Sequence, residues 1–112
     1  MPGPYRDRIA IQEYTEIDDP LGSYKEWKDV EARWGREASL STEGRAQYQQ
    51  IGHSKVEKEF VFPGGVELTI SDHRMKHRGN YYKAVEPPRV LGGIKKITRI
   101  AVEEVGPEDE PE

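Results

Sequence analysis

His73 and His77 stand four residues apart, and Asp72 adjoins the first of them. On a helix that spacing would put two imidazoles on one metal. Here they fall in a predicted strand and turn, where a spacing of four shares a face but stretches to about 13 Å. No third ligand is evident, so the expected reading is strand or surface histidines, with no metal site. Asp18-Asp19 resembles a cation-binding pair, but the Pro-Leu-Gly that follows makes a turn the expected role. Ser39, Ser41 and Ser54 lie in no Gly-x-Ser-x-Gly elbow, and no base is specified for any of them. Gly64-Gly65 and Gly92-Gly93 lack the Lys-Ser/Thr and the following helix of a phosphate loop. There is no cysteine, which removes disulfides, thiolate ligands and thiol nucleophiles. The expectation is a protein without catalytic residues, cofactor or metal.

The elements that would carry such residues are short. The 112 residues fit one domain, and hydrophobic and charged residues each make up 34%. The core is therefore small, and the balance leans toward surface. No apolar run reaches the roughly 18 residues of a membrane span, and MPGPYRDR lacks the apolar stretch of a signal peptide. The expectation is a soluble chain made in the cytosol.

Arg8 to Gln12 alternates polar and apolar residues, as a half-buried strand does. Glu16 to Ser23 reads as a turn-rich connection. Tyr24 to Lys28 alternates again, and Val30, Ala32 and Trp34 continue with the opposite parity, which predicts a bulge near Lys28-Asp29. Val56 to Phe62, Val66 to Ile70, Met75 to His77, Tyr81 to Val85 and roughly Lys96 to Val105 read as further strands. Pro87-Pro88 ends one of these, and Gly92-Gly93 marks a loop.

Between the strands lies a different pattern. Leu40, Gly44, Tyr48 and Ile51 recur every three to four residues. Ser41 is a candidate N-cap and Gly52 a candidate stop. Gln47, Gln49 and Gln50 bury little, and Gly44 weakens a helix by about 1 kcal/mol relative to Ala. A short helix and a mobile loop both fit. The fold class is thus mainly β: a small antiparallel barrel of six to seven strands with one short helical or loop insertion. One domain is expected over residues 1–106, followed by a disordered acidic tail at 107–112. The expected core includes Ile9, Ile11, Trp27, Trp34, Phe60, Leu68, Ile70, Tyr82, Val85 and Ile100.

Charge is unevenly spread beneath a net of −4. Residues 74–99 carry Arg74, Lys76, Arg78, Lys83, Arg89, Lys95, Lys96 and Arg99 against Glu86 alone, a net of +7. Residues 100–112 hold six acids and no base. A basic segment of this kind suits a solvated strand face, an acidic partner subunit or nucleic acid. Tyr81 and Tyr82 lie within it, but neighbours in a strand face opposite ways, so only one could stack on a base.

The order of these motifs resembles a known family. Arg6-Asp7-Arg8-Ile9-Ala10-Ile11-Gln12 opens the chain, and Asp18-Asp19-Pro20-Leu21-Gly22 leads to Trp27, Val30 and Trp34. A polar Gln-rich segment follows. Asp72-His73-Arg74-Met75 then runs through Gly79 to Tyr82 and Val85. This is similar to the head–tail joining proteins (head completion, stopper or adaptor) of long-tailed bacteriophages, over about residues 6 to 105. The 54–62 strand, the Pro/Gly-rich 86–94 loop and the acidic tail depart from the family pattern.

The resemblance implies a structural ring, commonly of twelve copies, under the portal and adaptor proteins. Such a ring closes the channel of packaged DNA and offers a docking surface to tail proteins. The subunit would be located at the head–tail interface of the virion, and in the host cytoplasm as a possible monomer before assembly. A tail-side completion or terminator protein, and a nucleic-acid-binding barrel, are the alternatives. Residues 36–53 are the expected partner- or lumen-facing segment, through Arg36, Glu37, Arg45, Gln47, Gln49 and Gln50, and they are expected to order only in the ring. Arg74, Lys76, Arg78, Lys95 and Lys96 are the basic interface candidates.

Overall fold

The computed structural model of the chain describes residues 5–53 and 55–108. Its strands are β1 (Asp7–Asp19), β2 (Gly22–Ser39), β3 (Lys58–Pro63), β4 (His73–His77), β5 (Asn80–Ala84), β6 (Arg89–Leu91) and β7 (Ile97–Val105), with one helix, α1 (Thr42–Gln50), between β2 and β3. All pairings are antiparallel, in the order β3-β2-β1-β4-β5-β7-β6. β3 also pairs with β7, which closes the sheet into a barrel-like ring and leaves β6 as a short appendage on β7.

Alternation decides which side chains fill the barrel. Ile9 and Ile11 of β1, Phe60 and Phe62 of β3, Met75 of β4, Tyr82 and Ala84 of β5, and Ile100 and Val102 of β7 form one buried cluster. Tyr82 meets Phe60 edge-on at 5.1 Å. Gly35 of β2 lies under this cluster because a Cβ there would come within 2.9 Å of the Phe62 ring and 2.8 Å of the Val61 carbonyl oxygen.

Half of the expected core is confirmed in full: Ile9, Ile11, Phe60, Tyr82 and Ile100 are buried. Leu68 and Ile70 are partly buried against the cluster, and Val85 is half-buried. The tryptophans are a correction. Trp34 is 39% exposed and Trp27 only half-buried. Both lie on the outer side of the sheet, Trp27 facing Tyr14 and Trp34 facing Arg8, out of phase with inward Ile9 and Ile11; the bulge between them falls at Val30, where Ile11 faces Glu31, Gln12 faces Asp29, and Val30 has no partner. One extra residue flips the phase. Arg33 and Gly35 then take the side of Ile9 and Asp7, whereas Trp34 lies opposite Arg8 on the outer surface, with the guanidinium 5.2 Å from its ring.

Val66 to Ile70 is a second correction, since it joins no ladder. Val66 is buried in the core cluster, and Leu68 and Ile70 pack against it. Buried Thr98 pins the segment's start by donating to the Gly64 carbonyl (2.7 Å) and accepting from the Val66 N–H (3.0 Å). Its apolar residues still alternate because their partner is the core, not a neighbouring strand. β6 forms where the Pro/Gly loop was expected.

The turn-rich reading of Glu16 to Ser23 is also corrected. β1 runs on to Asp19 and β2 resumes at Gly22, so only Pro20-Leu21 turns. β1 meets β4 only over Ala10–Glu13, and β2 meets β3 only over Arg36–Ser39. Among the described residues, Tyr14–Asp19 and Gly22–Trp27 therefore ladder with each other alone, as a two-stranded arm about 20 Å long. The radius of gyration, 15.0 Å, exceeds the roughly 13 Å of a compact domain this long.

Between helix and loop, the structure gives the helix. Ser41 caps it by accepting from the Gly44 N–H at 3.1 Å, and Gly52 at φ 90° follows its end. None of its residues is buried. Of the acidic tail, Pro107 and Glu108 are described and exposed. The expectation of disorder otherwise falls on 109–112, outside the described residues.

Candidate functional site

The sequence candidates do not converge on one place. Arg36 and Glu37 belong to β2, opposite Val61 and Phe60, rather than to a free loop. Glu37 is tied down twice: its carboxylate meets the Lys58 ammonium at 2.6 Å, and its N–H donates to Asp7. Arg45, Gln47, Gln49 and Gln50 are exposed on α1. That helix is fastened by Tyr48, whose hydroxyl donates to Glu86 at 2.6 Å. Burial and then the Glu86 carboxylate push that hydroxyl up to about 12. Glu86 also faces Arg89 at 3.6 Å, and Arg89 and Arg99 both reach Glu59, a buried acid on the outer side of β3. The chain of charges from Tyr48 to Arg99 thus locks the helix side to the barrel wall.

The basic candidates divide similarly. Arg78, at φ 52° in the tight turn between β4 and β5, pairs with Asp7 at 3.3 Å. Asp7 also faces buried His77 at 3.4 Å. Burial opposes its ionisation, but the Glu37 N–H, His77 and Arg78 together hold its carboxyl below the usual carboxylate range. Lys95 and Lys96 are exposed in the loop before β7, beside Tyr5, Pro63 and the fully exposed Ile94. Lys76 is exposed, 5.6 Å from the Tyr81 ring.

Arg74 is the exception, a buried cation at the root of the arm. Its guanidinium lies between the rings of Trp27 (4.5 Å) and Tyr81 (4.1 Å). Trp27 in turn packs on Tyr14 at 5.1 Å. The Arg74 Nε donates to Gln12 (2.6 Å), whose amide donates to Asp29 (2.7 Å), and its Nη1 donates to the Pro107 carbonyl (2.9 Å). Stacking of this kind contributes about 0.5–2 kcal/mol per ring. The arrangement gives the outward tyrosine of the pair, Tyr81, a structural cation, and places its neighbour Tyr82 in the core.

The histidines are likewise engaged. His73 accepts from the Thr69 N–H at 3.0 Å and faces Glu13 at 3.1 Å, and His77 lies edge-on to Phe60 at 5.5 Å. Asp18 and Asp19 serve the turn, accepting from the Ser23 hydroxyl and the Leu21 N–H. Among the described residues no group of three His, Cys, Asp or Glu could hold a metal ion, and no helix is long and apolar enough to cross a membrane.

Sequence reasoning missed the arm. The signal was there: Glu13 to Ile17 is rich in β-formers, and Asp-Pro-Leu-Gly separates it from the next alternating run. What remains outward is the arm, with Leu21 at its turn and Tyr24 on β2, and the polar face of α1.

No protein-family model matches the chain, and no curated protein matches it. Among solved structures, the solution structure of protein SF1141 from Shigella flexneri 2a superposes with a TM-score of 0.72 over 96% of this chain and 97% of that one. That protein has the same fold. The two sequences are 18% identical, so the likeness is one of architecture alone.

Proposed function

We propose that the protein is a structural ring subunit of the head–tail connector of a long-tailed bacteriophage, located at the head–tail interface of the virion. Two lines support the reading. The order of sequence motifs over about residues 6 to 105 resembles that of the head–tail joining proteins. The fold class expected from that likeness, a small antiparallel barrel with one helical insertion, agrees with the structure. The observation that carries the proposal is the division of the molecule into a closed body and two elements turned outward, the arm and α1. The ring of strand pairings closes without either element, so both are available to neighbours. In this reading α1 presents Arg45, Gln47, Gln49 and Gln50 to an adjoining subunit or the channel, and Lys95 and Lys96 lie on a second exposed face. The partners are portal, adaptor and tail proteins.

The test is negative-stain microscopy of the protein mixed with the portal and adaptor proteins of its own particle. Added rings of density beneath the portal are expected. Absence of rings together with salt-dependent binding of a labelled oligonucleotide would replace the proposal with a nucleic-acid-binding barrel.

A further inference from the structure

The edge of β2 that faces away from β1 meets no strand from Gly22 to Gly35 among the described residues. An edge of that length is a template for another strand. We infer that it pairs with the same edge of a second copy, antiparallel and about a twofold axis through Trp27. The pairing is argued from backbone direction and from charge.

The backbone direction follows from Tyr14. Its N–H donates to the Asp72 carbonyl at 2.8 Å, away from β2. Tyr14 and Trp27 are therefore a non-hydrogen-bonded pair of the arm, because the two kinds alternate along an antiparallel ladder. It follows that Glu26 and Lys28 bond to β1, whereas the main chain of Lys25, Trp27 and Asp29 is directed away from β1. A second copy must bring outward residues opposite outward residues.

Charge then selects among the few registers allowed. Centring on Lys25 puts Lys25 against itself, and centring on Asp29 puts Asp29 against itself. Centring on Glu26 or Lys28 stacks like charges on the axis in the same way. Centring on Trp27 places Lys25 opposite the second copy's Asp29 on one face, and Glu26 opposite its Lys28 on the other. Each opposite-sign pair occurs twice by symmetry. Lys25, Glu26 and Lys28 are exposed and have no ion pair within the described chain. Asp29 uses one oxygen for Gln12 and keeps the other. The same register sets exposed Tyr24 against exposed Val30.

The bulge at Val30 ends the match, since beyond it the outward phase is broken. The contact is thus confined to residues 24–30, the arm and its root. A two-stranded ribbon is marginal alone, and the pairing makes two such arms into one four-stranded sheet. The two barrels fall at opposite ends of it. An isologous contact closes on itself, so the pair is a state of the free protein and is independent of the ring proposed above.

Analytical ultracentrifugation of the full chain tests the inference. The wild type should sediment as a reversible dimer. Glu26→Lys and Lys28→Glu should each weaken dimerisation by about tenfold or more, because one substitution makes two like-charge pairs. An equimolar mixture of the two variants should recover the dimer, since each hetero-pair restores both opposite-sign contacts. Circular dichroism of each variant shows that it remains folded. A monomeric wild type, variants that dimerise as well as wild type, or a mixture no better than its components would each overturn the inference, without touching the ring proposal.

Discussion

The barrel and the arm are made from the same two strands, yet they are held by different forces. Up to Glu13, β1 is one stave of a closed ring, and its inward residues Ile9 and Ile11 are dry. Beyond it the strand has a partner on one side only, and what it packs is ring on ring and ring on cation: Tyr14, Trp27, Arg74 and Tyr81. Burial is non-directional and scales with area, whereas the arm's contacts depend on single geometries. Changes in the barrel should therefore act on the whole fold, and changes in the arm and helix should stay local.

Phe60→Ala is the strongest challenge to this contrast. Its fully buried ring touches both Tyr82 and His77, and its loss should cost about 3–5 kcal/mol. Urea denaturation should show little or no folded protein. Gly35→Ala comes next. The added methyl has to displace either the Phe62 ring or the Val61 carbonyl, at about 1–3 kcal/mol. A melt equal to wild type would mean that β2 is not held against the barrel as described.

Tyr48→Phe asks whether the helix is part of the body. Loss of the hydrogen bond to Glu86 should cost about 0.5–1.5 kcal/mol. It should also change the response to base. Tyr48 holds its proton to about 12 in the fold, against about 10 in the unfolded chain. Its contribution is thus complete below pH 10 and is lost as pH rises toward 12. The variant should lose less stability than wild type across that window in alkaline chemical denaturation. Smaller still is Trp34→Ala, at about 1 kcal/mol or less for a half-exposed ring. Leu21→Ser, at the 98% exposed tip of the arm, should leave the melting temperature within about a degree or two of wild type.

The periodic signals in the sequence were legible wherever one face of an element met the core. Ile9, Ile11, Phe60, Tyr82 and Ile100 were identified by alternation alone, and Ser41 and Gly52 marked the ends of α1. The tryptophans were misplaced because alternation with a bulge puts both on one face without saying which face meets the core, and the residues they oppose, Tyr14 and Arg8, lie on the outer side. The 66–70 segment alternates for the same reason a strand does, so alternation could not reveal that it lacks a ladder. Charge was read as a contiguous basic stretch, but its members separate in space: Arg89 and Arg99 go to Glu59, Arg78 to Asp7, and Arg74 to the root of the arm. Those acids lie far away in sequence, and only the closed sheet brings them close.

β7 is the strand on which three others depend: it borders β3 on one side and β5 and β6 on the other. All three precede it in the chain. Until Ile97 to Val105 is laid down, β3 and β5 are bare edges, about forty and about twenty residues from their eventual closure, and each can recruit a strand from a neighbouring molecule. Loop closure over those distances comes before any reward from contact, and folds dominated by such distant pairings form on the millisecond-to-second scale. Refolding should accordingly be limited by the docking of this one strand, with the open five-stranded intermediate as the aggregation-prone species on the path.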